Sequence, residues 1–149
     1  MKRVAFVLLC ACLTTPAARF DLTAMGKIVR LSDPQISPSG AAIAVLVSRA
    51  NYEANRYDAE ITLIDIASRS QRVLTTTRAG LAQPRWSPSG DRLAYLATVE
   101  QKPQLFVLPM QGGEPRQITT VPEGVQHFAF SPDGARIAFV TRDPAPKAE

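Results

Sequence analysis

Three tetrapeptides punctuate the chain at matching places: Ser37-Pro38-Ser39-Gly40, Ser87-Pro88-Ser89-Gly90 and Ser131-Pro132-Asp133-Gly134. An apolar residue precedes each (Ile36, Trp86, Phe130), and a strand-like run follows each: Ile43 to Leu46, Leu93 to Leu96 and Ile137 to Val140. Proline presets the backbone for the second position of a tight turn, and glycine takes the left-handed conformation of a bulged hairpin without a Cβ penalty. Each tetrapeptide therefore reads as a chain reversal between two strands. A turn copied three times with its flanking strands marks a repeat architecture.

The strands after the turns alternate. Ile43, Val45 and Val47 point one way and Ala42, Ala44 and Leu46 the other; Leu93, Tyr95, Ala97 and Ile137, Phe139, Thr141 repeat the first set. A third strand follows, Ile61 to Ile66 and then Leu105 to Met110. The fourth is Arg72 to Thr76, matched by Arg116 to Thr120, with turn formers before it at Ala67 to Ser70 and Gln111 to Glu114. Leu63 and Val107, Thr75 and Thr119, and Ser87 and Ser131 are each 44 positions apart, whereas Ser37 and Ser87 are 50 apart. Six extra residues of the first unit thus fall between its second and third strands, in Arg49 to Glu60.

Four antiparallel strands every 44 residues have the period of a β-propeller blade, whose two apolar faces each need a neighbour. A seven-strand sandwich accounts for regular short strands but not for the copying. The expected fold is all-β, a partial β-propeller over 34–143 of about two and a half four-stranded blades, at 34–77, 83–121 and 125–142. A short helical lead-in is expected over 19–33, with Asp21 capping a helix through Leu22 to Leu31, and a polar tail over 144–149. Closed propellers have roughly four to eight blades, so the chain reads as a sector of a longer protein.

Lys2 and Arg3, the apolar stretch Val4 to Leu13 and the small residues Thr15-Pro16-Ala17-Ala18 have the layout of a signal peptide over 1–18. The chain is accordingly expected to be exported, to the periplasm or beyond. Leu9-Cys10-Ala11-Cys12 is an imperfect lipoprotein box, and a membrane enters only if Cys12 is lipidated. Both cysteines sit in this leader, which leaves the mature chain without a disulfide. Without Lys2 and Arg3 the net charge drops from +4 to +2, with 15 basic against 13 acidic residues. The arginines are scattered, and no basic stripe for a nucleic acid is present.

The chain offers no catalytic set: it has no G-x-S-x-G elbow, and its single histidine, His127, reads as structural or exposed on a strand leading into Phe128-Ala129-Phe130. No metal ligand set is visible, and Gly112-Gly113 reads as a hairpin turn, so no cofactor is expected. Trp86 reads as core. Ser37, Pro38, Gly40, Ser87, Pro88, Gly90, Ser131, Pro132, Asp133 and Gly134 are expected to be structural turn residues. Function is expected instead in the insertion, read as a loop on the face opposite the Ser-Pro turns. There Tyr52, Glu53, Arg56 and Tyr57 mix aromatic and charged groups suited to contacting a substrate or another domain.

The span Leu22 to Pro144 resembles the N-terminal propeller, with TolB-type, WD40-like repeats, of secreted bacterial serine peptidases of the prolyl-oligopeptidase family. The acylaminoacyl-peptidase and dipeptidyl-peptidase-like branch is the nearest in pattern. The resemblance is carried by Leu31 to Pro38, Pro84-Arg85-Trp86-Ser87-Pro88, Pro103 to Pro109, Gly112 to Thr119 and Phe130 to Gly134. Ser39 and Ser89 stand where an aspartate is usual. The resemblance implies a propeller that caps an α/β-hydrolase domain bearing a Ser-Asp-His triad and filters substrates down to peptides. The partners it implies are that catalytic domain and, through it, a peptide. Two other readings are a periplasmic TolB-like protein-binding module and a truncated product without function, insoluble or protease-sensitive when expressed alone.

Overall fold

Ten strands run through residues 25–75 and 79–143, which are the residues that the computed structural model describes. The first sheet contains β1 (Val29–Ile36), β2 (Ala42–Asn51), β3 (Arg56–Asp65) and β4 (Gln71–Val73). The second contains β5 (Ala82–Trp86), β6 (Arg92–Val99), β7 (Lys102–Pro109) and β8 (Arg116–Gln117). β9 (His127–Phe130) and β10 (Ile137–Val140) form the third. Every pairing is antiparallel and follows chain order. The all-β partial propeller read from the repeats is therefore present as two whole blades and the first two strands of another. The expected signal peptide, Cys12 and the polar tail lie outside the described residues.

Four details differ from the sequence reading. Val29, Arg30 and Leu31 belong to β1 rather than to a helix, whereas Met25 is helical; residues 19–24 of the expected lead-in, with the capping Asp21, lie outside the described residues. β1 begins well before Pro34 because a β-bulge between Ser32 and Gln35 absorbs that proline while pairing continues beyond it. The same bulge recurs in β5 between Ala82 and Arg85. At each bulge a non-glycine residue takes a left-handed backbone, Asp33 at φ 47° and Gln83 at φ 51°. The fourth strands are shorter than expected, since β4 stops at Val73 and β8 at Gln117. Their threonines continue the pairing with side chains: Thr75 Oγ1 accepts the Ile61 N–H at 3.1 Å, and Thr119 Oγ1 accepts that of Leu105 at 2.9 Å.

The six-residue insertion is a longer hairpin rather than a loop. β2 and β3 have ten residues each against eight in β6 and β7, and the turn is 52–55 against 100–101. Two residues in each strand and two in the turn thus account for all six. The paired register is unbroken from Ala42 with Asp65 to Asn51 with Arg56.

Alternation fixes how the blades stack. Ala44, Leu46 and Ile61 on one face of the first blade pack with Leu93, Tyr95, Ala97, Phe106 and Leu108 on the facing side of the second. Ala94, Leu96 and Leu105 on the other side of the second blade meet Val125 and Phe128. Tyr95 and Phe106, opposite one another in the β6–β7 register, stack at 5.8 Å, a pairing worth about 0.5–1.5 kcal/mol beyond area burial. Burying one leucine contributes about 1.5–3 kcal/mol, so these two apolar layers dominate the joint.

The Ser-Pro turns are built alike. Ser37 Oγ accepts the Ala42 N–H, Ser87 Oγ that of Arg92 and Ser131 Oγ that of Arg136, at 3.1, 3.0 and 2.9 Å. The turns also stack from blade to blade. A Cβ on Gly90 would meet the Pro38 ring at 3.4 Å, and one on Gly134 would meet the Pro88 ring at 3.3 Å. Glycine is required here twice, by its left-handed φ (74° and 68°) and by the neighbouring ring.

Candidate functional site

The four residues singled out in the insertion cluster at the end of the long hairpin. Tyr52 and Glu53 lie in the turn, closed by the Asn55 N–H donating to Tyr52 O and the Ala54 N–H donating to Asn51 Oδ1. Asn55 takes φ 48°, a left-handed position that asparagine tolerates. Arg56 and Tyr57 are adjacent on β3 and so point to opposite faces. Arg56 shares its face with Arg49, Asn51, Asp58 and Glu60, where charges pair off. Arg49 binds Glu60 at 2.7 Å, and Arg56 binds Asp58 at 2.8 Å. The Asn51 amide also donates to Asp58. That amide first, and Arg56 second, hold the Asp58 carboxyl below the usual carboxylate range.

On the other face the Arg30 guanidinium lies 5.4 Å from the centre of the Tyr57 ring, a cation–π contact. Tyr52 and Tyr57 remain 66% and 63% exposed. Glu53 makes no hydrogen bond or ion pair among the described residues, so it is the one carboxylate of the tip with its full capacity left. The hairpin borders an open concavity of about 820 Å³, lined also by Ala79 and Gly80 ahead of the second blade. All four predicted residues line it. What the arrangement offers is a wide recess with aromatic edges and one unpaired negative charge.

A second cluster was not anticipated. The first strands of neighbouring blades lie side by side, and the bulge residues reach across the joints between them. Arg85 Nη1 binds both carboxylate oxygens of Asp33, at 2.9 and 3.0 Å, and the Gln35 amide donates to the same carboxylate. Trp86 Nε1 donates to Gln35 O at 3.0 Å, so its indole is half in the core and half a clasp between blades. Gln83 Nε2 donates to Gln126 O at 2.8 Å and lies 3.2 Å from His127 Nδ1. His127 is exposed, as expected, and contacts no serine among the hydrogen bonds described. Asp33, Gln83 and His127 occupy one position in three successive repeats, at spacings of 50 and 44. That coincidence was available in the sequence, but nothing in it signals a bulge that turns side chains toward the next blade.

A smaller recess of about 360 Å³ lies between the second and third units, lined by Gln83, Pro103, Val125, Gln126 and Arg142, and spanned by the ion pair of Lys102 with Glu123 at 3.1 Å. No group of His, Cys, Asp and Glu able to hold a metal occurs among the described residues.

No family model matches the chain. It is 35% identical over 118 residues to the Uncharacterized peptidase YuxL of Bacillus subtilis (strain 168), a stretch covering 78% of this chain and 18% of that protein. It is 26% identical over 112 residues to Dipeptidyl-peptidase 5 of Porphyromonas endodontalis, covering 75% of this chain and 16% of the relative. A shorter stretch of 63 residues, 42% of this chain and 14% of the relative, is 35% identical to the Tol-Pal system protein TolB of Histophilus somni. Among solved structures, Pyrococcus horikoshii acylaminoacyl peptidase superposes with a TM-score of 0.71 at 19% identity, covering 87% of this chain and 20% of the other. The chain spans less than a fifth of the curated relatives it matches. In each case the match is to a fraction of a larger protein, and the β-propeller domain of the Trilobed protease from Pyrococcus furiosus shares the fold, with a TM-score of 0.64 at 20% identity over 76% of this chain and 34% of that one.

Proposed function

We propose, for a sector that fits the β-propeller of a prolyl-oligopeptidase-family peptidase, a non-catalytic role in admitting peptides to a serine-peptidase domain carried elsewhere in the longer protein. The observation that carries this reading is the 35% identity to a peptidase along most of the described blades. A wall whose blades are clasped at their first strands suits a filter, because a rigid wall can exclude folded chains without itself reacting. The Tyr52–Tyr57 hairpin supplies the contact surface, with Glu53 as the group that faces a substrate's amino terminus or a basic patch of the catalytic domain.

The test is kinetic. In the full-length protein, Glu53→Gln and Tyr57→Ala are expected to raise KM for short peptides several-fold with kcat nearly unchanged, the pattern of lost ground-state binding. Unchanged turnover ends the role assigned to the hairpin. The TolB match supports a second reading, a protein-binding module, and a full-length protein that hydrolyses no peptide decides in its favour. Export is part of the proposal and rests on the leader pattern of residues 1–18. Amino-terminal sequencing of the mature protein is expected to begin near Ala18, whereas an intact Met1 refutes export by this route.

A further inference from the structure

The recess of about 360 Å³ between the second and third units has walls pinned by hydrogen bonds of their own. Val125 N–H donates to Pro103 O at 2.7 Å and the Gln104 amide to Val121 O at 2.8 Å, tying the connection ahead of β9 to β7. Thr141 Oγ1 donates to Gly124 O at 2.7 Å, which anchors the chain just beyond β10, where Arg142 reaches the rim. Leu96 and Val125, 3% and 1% exposed, give the recess an apolar floor. These bonds occupy the carbonyls of the wall, as Gln83 Nε2 occupies that of Gln126. Donors are left over: the side chains of Gln126 and Arg142 make no hydrogen bond or ion pair among the described residues. Lys102 and Glu123 neutralise one another at 3.1 Å, and Asp143, next to Arg142 in the chain, forms no ion pair with it. The rim therefore carries one positive charge in surplus.

We propose that this recess binds the terminal carboxylate of a short peptide whose last side chain is small and apolar, with Arg142 as the group that recognises the carboxylate. An ionised carboxylate accepts and never donates, and a guanidinium offers its two oxygens a matching pair of N–H groups. The Gln126 amide supplies a neutral donor beside that charge. Leu96 and Val125 provide the surface for an aliphatic side chain. The volume lies at the lower end of ligand pockets, about 300–1,000 Å³, which suits the end of a chain rather than a folded partner. Because the walls are pinned beforehand, little ordering opposes binding. Gly80 borders both this recess and the one lined by Tyr52 and Glu53, so the surplus cation and the unpaired carboxylate are neighbours across one blade. The proposal rests on the peptide reading for the identity of its occupant, and on the charge and donors of the recess for the end of the peptide that is held.

The probes are acetyl-Val-Ala with a free carboxyl end, the same dipeptide as its carboxyl amide, and acetyl-Asp-Ala amide, whose one carboxylate is a side chain. Each is titrated into the isotope-labelled chain and followed by NMR at the Gln126 side-chain amide. Binding is read without turnover, so a full-length protein that hydrolyses no peptide, which ends the peptidase reading, leaves this result standing. The acid is expected to bind at least ~10-fold more tightly than its amide, the scale of one charge-assisted hydrogen bond. Arg142→Gln is expected to erase that ratio and Arg142→Lys to keep part of it, as a point charge without the planar fork. Arg142 is exposed, so neither variant disturbs the core. Should the chain not remain in solution at those concentrations, displacement of a fluorescent form of the acid from the full-length protein gives the same ratio. Equal binding of acid and amide, or no binding of either at millimolar peptide, overturns the proposal. So does acetyl-Asp-Ala amide binding as tightly as the acid, because the recess then reads any carboxylate. A ratio that survives Arg142→Gln overturns the role of that residue and the proposal with it.

Discussion

At Ser89 the second blade lacks the aspartate that the third blade has at Asp133, and Asp91 replaces it from two residues further on. Asp133 accepts from the Ser131 hydroxyl and the Ala135 N–H. Asp91 accepts from both Ser89 and Ser87. The carboxylate has moved along the chain while its serine partner has stayed. The Ser89 hydroxyl first, then that of Ser87, lower the Asp91 carboxyl to about 2, and the Ser131 hydroxyl lowers that of Asp133. A carboxyl depressed by folding stabilises the native state above its unfolded value of about 3.9, and that contribution is lost as pH falls through the folded value. Urea unfolding of the wild-type chain is therefore expected to show falling stability from pH 4 toward pH 2. Asp91→Asn is expected to be less stable at pH 7 and to have a flatter profile across that window. Ser89→Asp in an Asp91→Ala background restores the third blade's version of the turn and is expected to recover stability at pH 7. The first blade, with Ser39 and Ala41, has no carboxylate in that place: the Ser37 and Ser39 hydroxyls lie 3.2 Å apart, and the Ala41 N–H donates to Ser39 Oγ at 3.4 Å.

Between elements, the joints combine an apolar layer with a few directional clasps. Asp33 and Arg85 are partly exposed, so their ion pair is screened. A double-mutant cycle on Asp33→Ala and Arg85→Ala is expected to return a coupling of about 0.5–1 kcal/mol, the range for pairs open to solvent. A coupling near zero would remove the clasp from the joint. Gly134→Ala should cost more than Gly40→Ala in thermal unfolding. Both substitutions pay about 1–2 kcal/mol for a left-handed backbone, but only Gly134 also has a proline ring, 3.3 Å from the added carbon. The turns, the 44-residue period and the paired faces were legible in the sequence because hydrophobic alternation and Ser-Pro-x-Gly chemistry act locally. The bulges at Asp33 and Gln83 were not, since a left-handed backbone is uncommon even for aspartate and rare for glutamine, and no glycine marks either position. Their reward lies some 50 residues away, at Arg85 and His127. Likewise β4 and β8 end early because Thr75 and Thr119 substitute hydroxyls for ladder bonds, which composition alone cannot register.

For the whole molecule, apolar side chains at the two ends of the described arc set solution behaviour. Leu31 and Ile36 on β1 and Phe139 and Val140 on β10 are exposed. Expressed as these 149 residues, the protein is expected to bind a hydrophobic dye such as ANS. Phe139→Lys with Val140→Lys is expected to lower that fluorescence while leaving the circular dichroism of the strands in place. The long hairpin has a different consequence at this scale, and it concerns aim. Side chains on a strand alternate sides, so lengthening both arms by two leaves the tip oriented as in the short hairpin of the second blade. Removing one opposed pair, such as Ala50 with Tyr57, would swing the crown half a revolution and send Glu53 outward to the far side. Orientation of that fingertip is thus a matter of odd and even, and length changes that preserve parity are the ones the architecture can absorb.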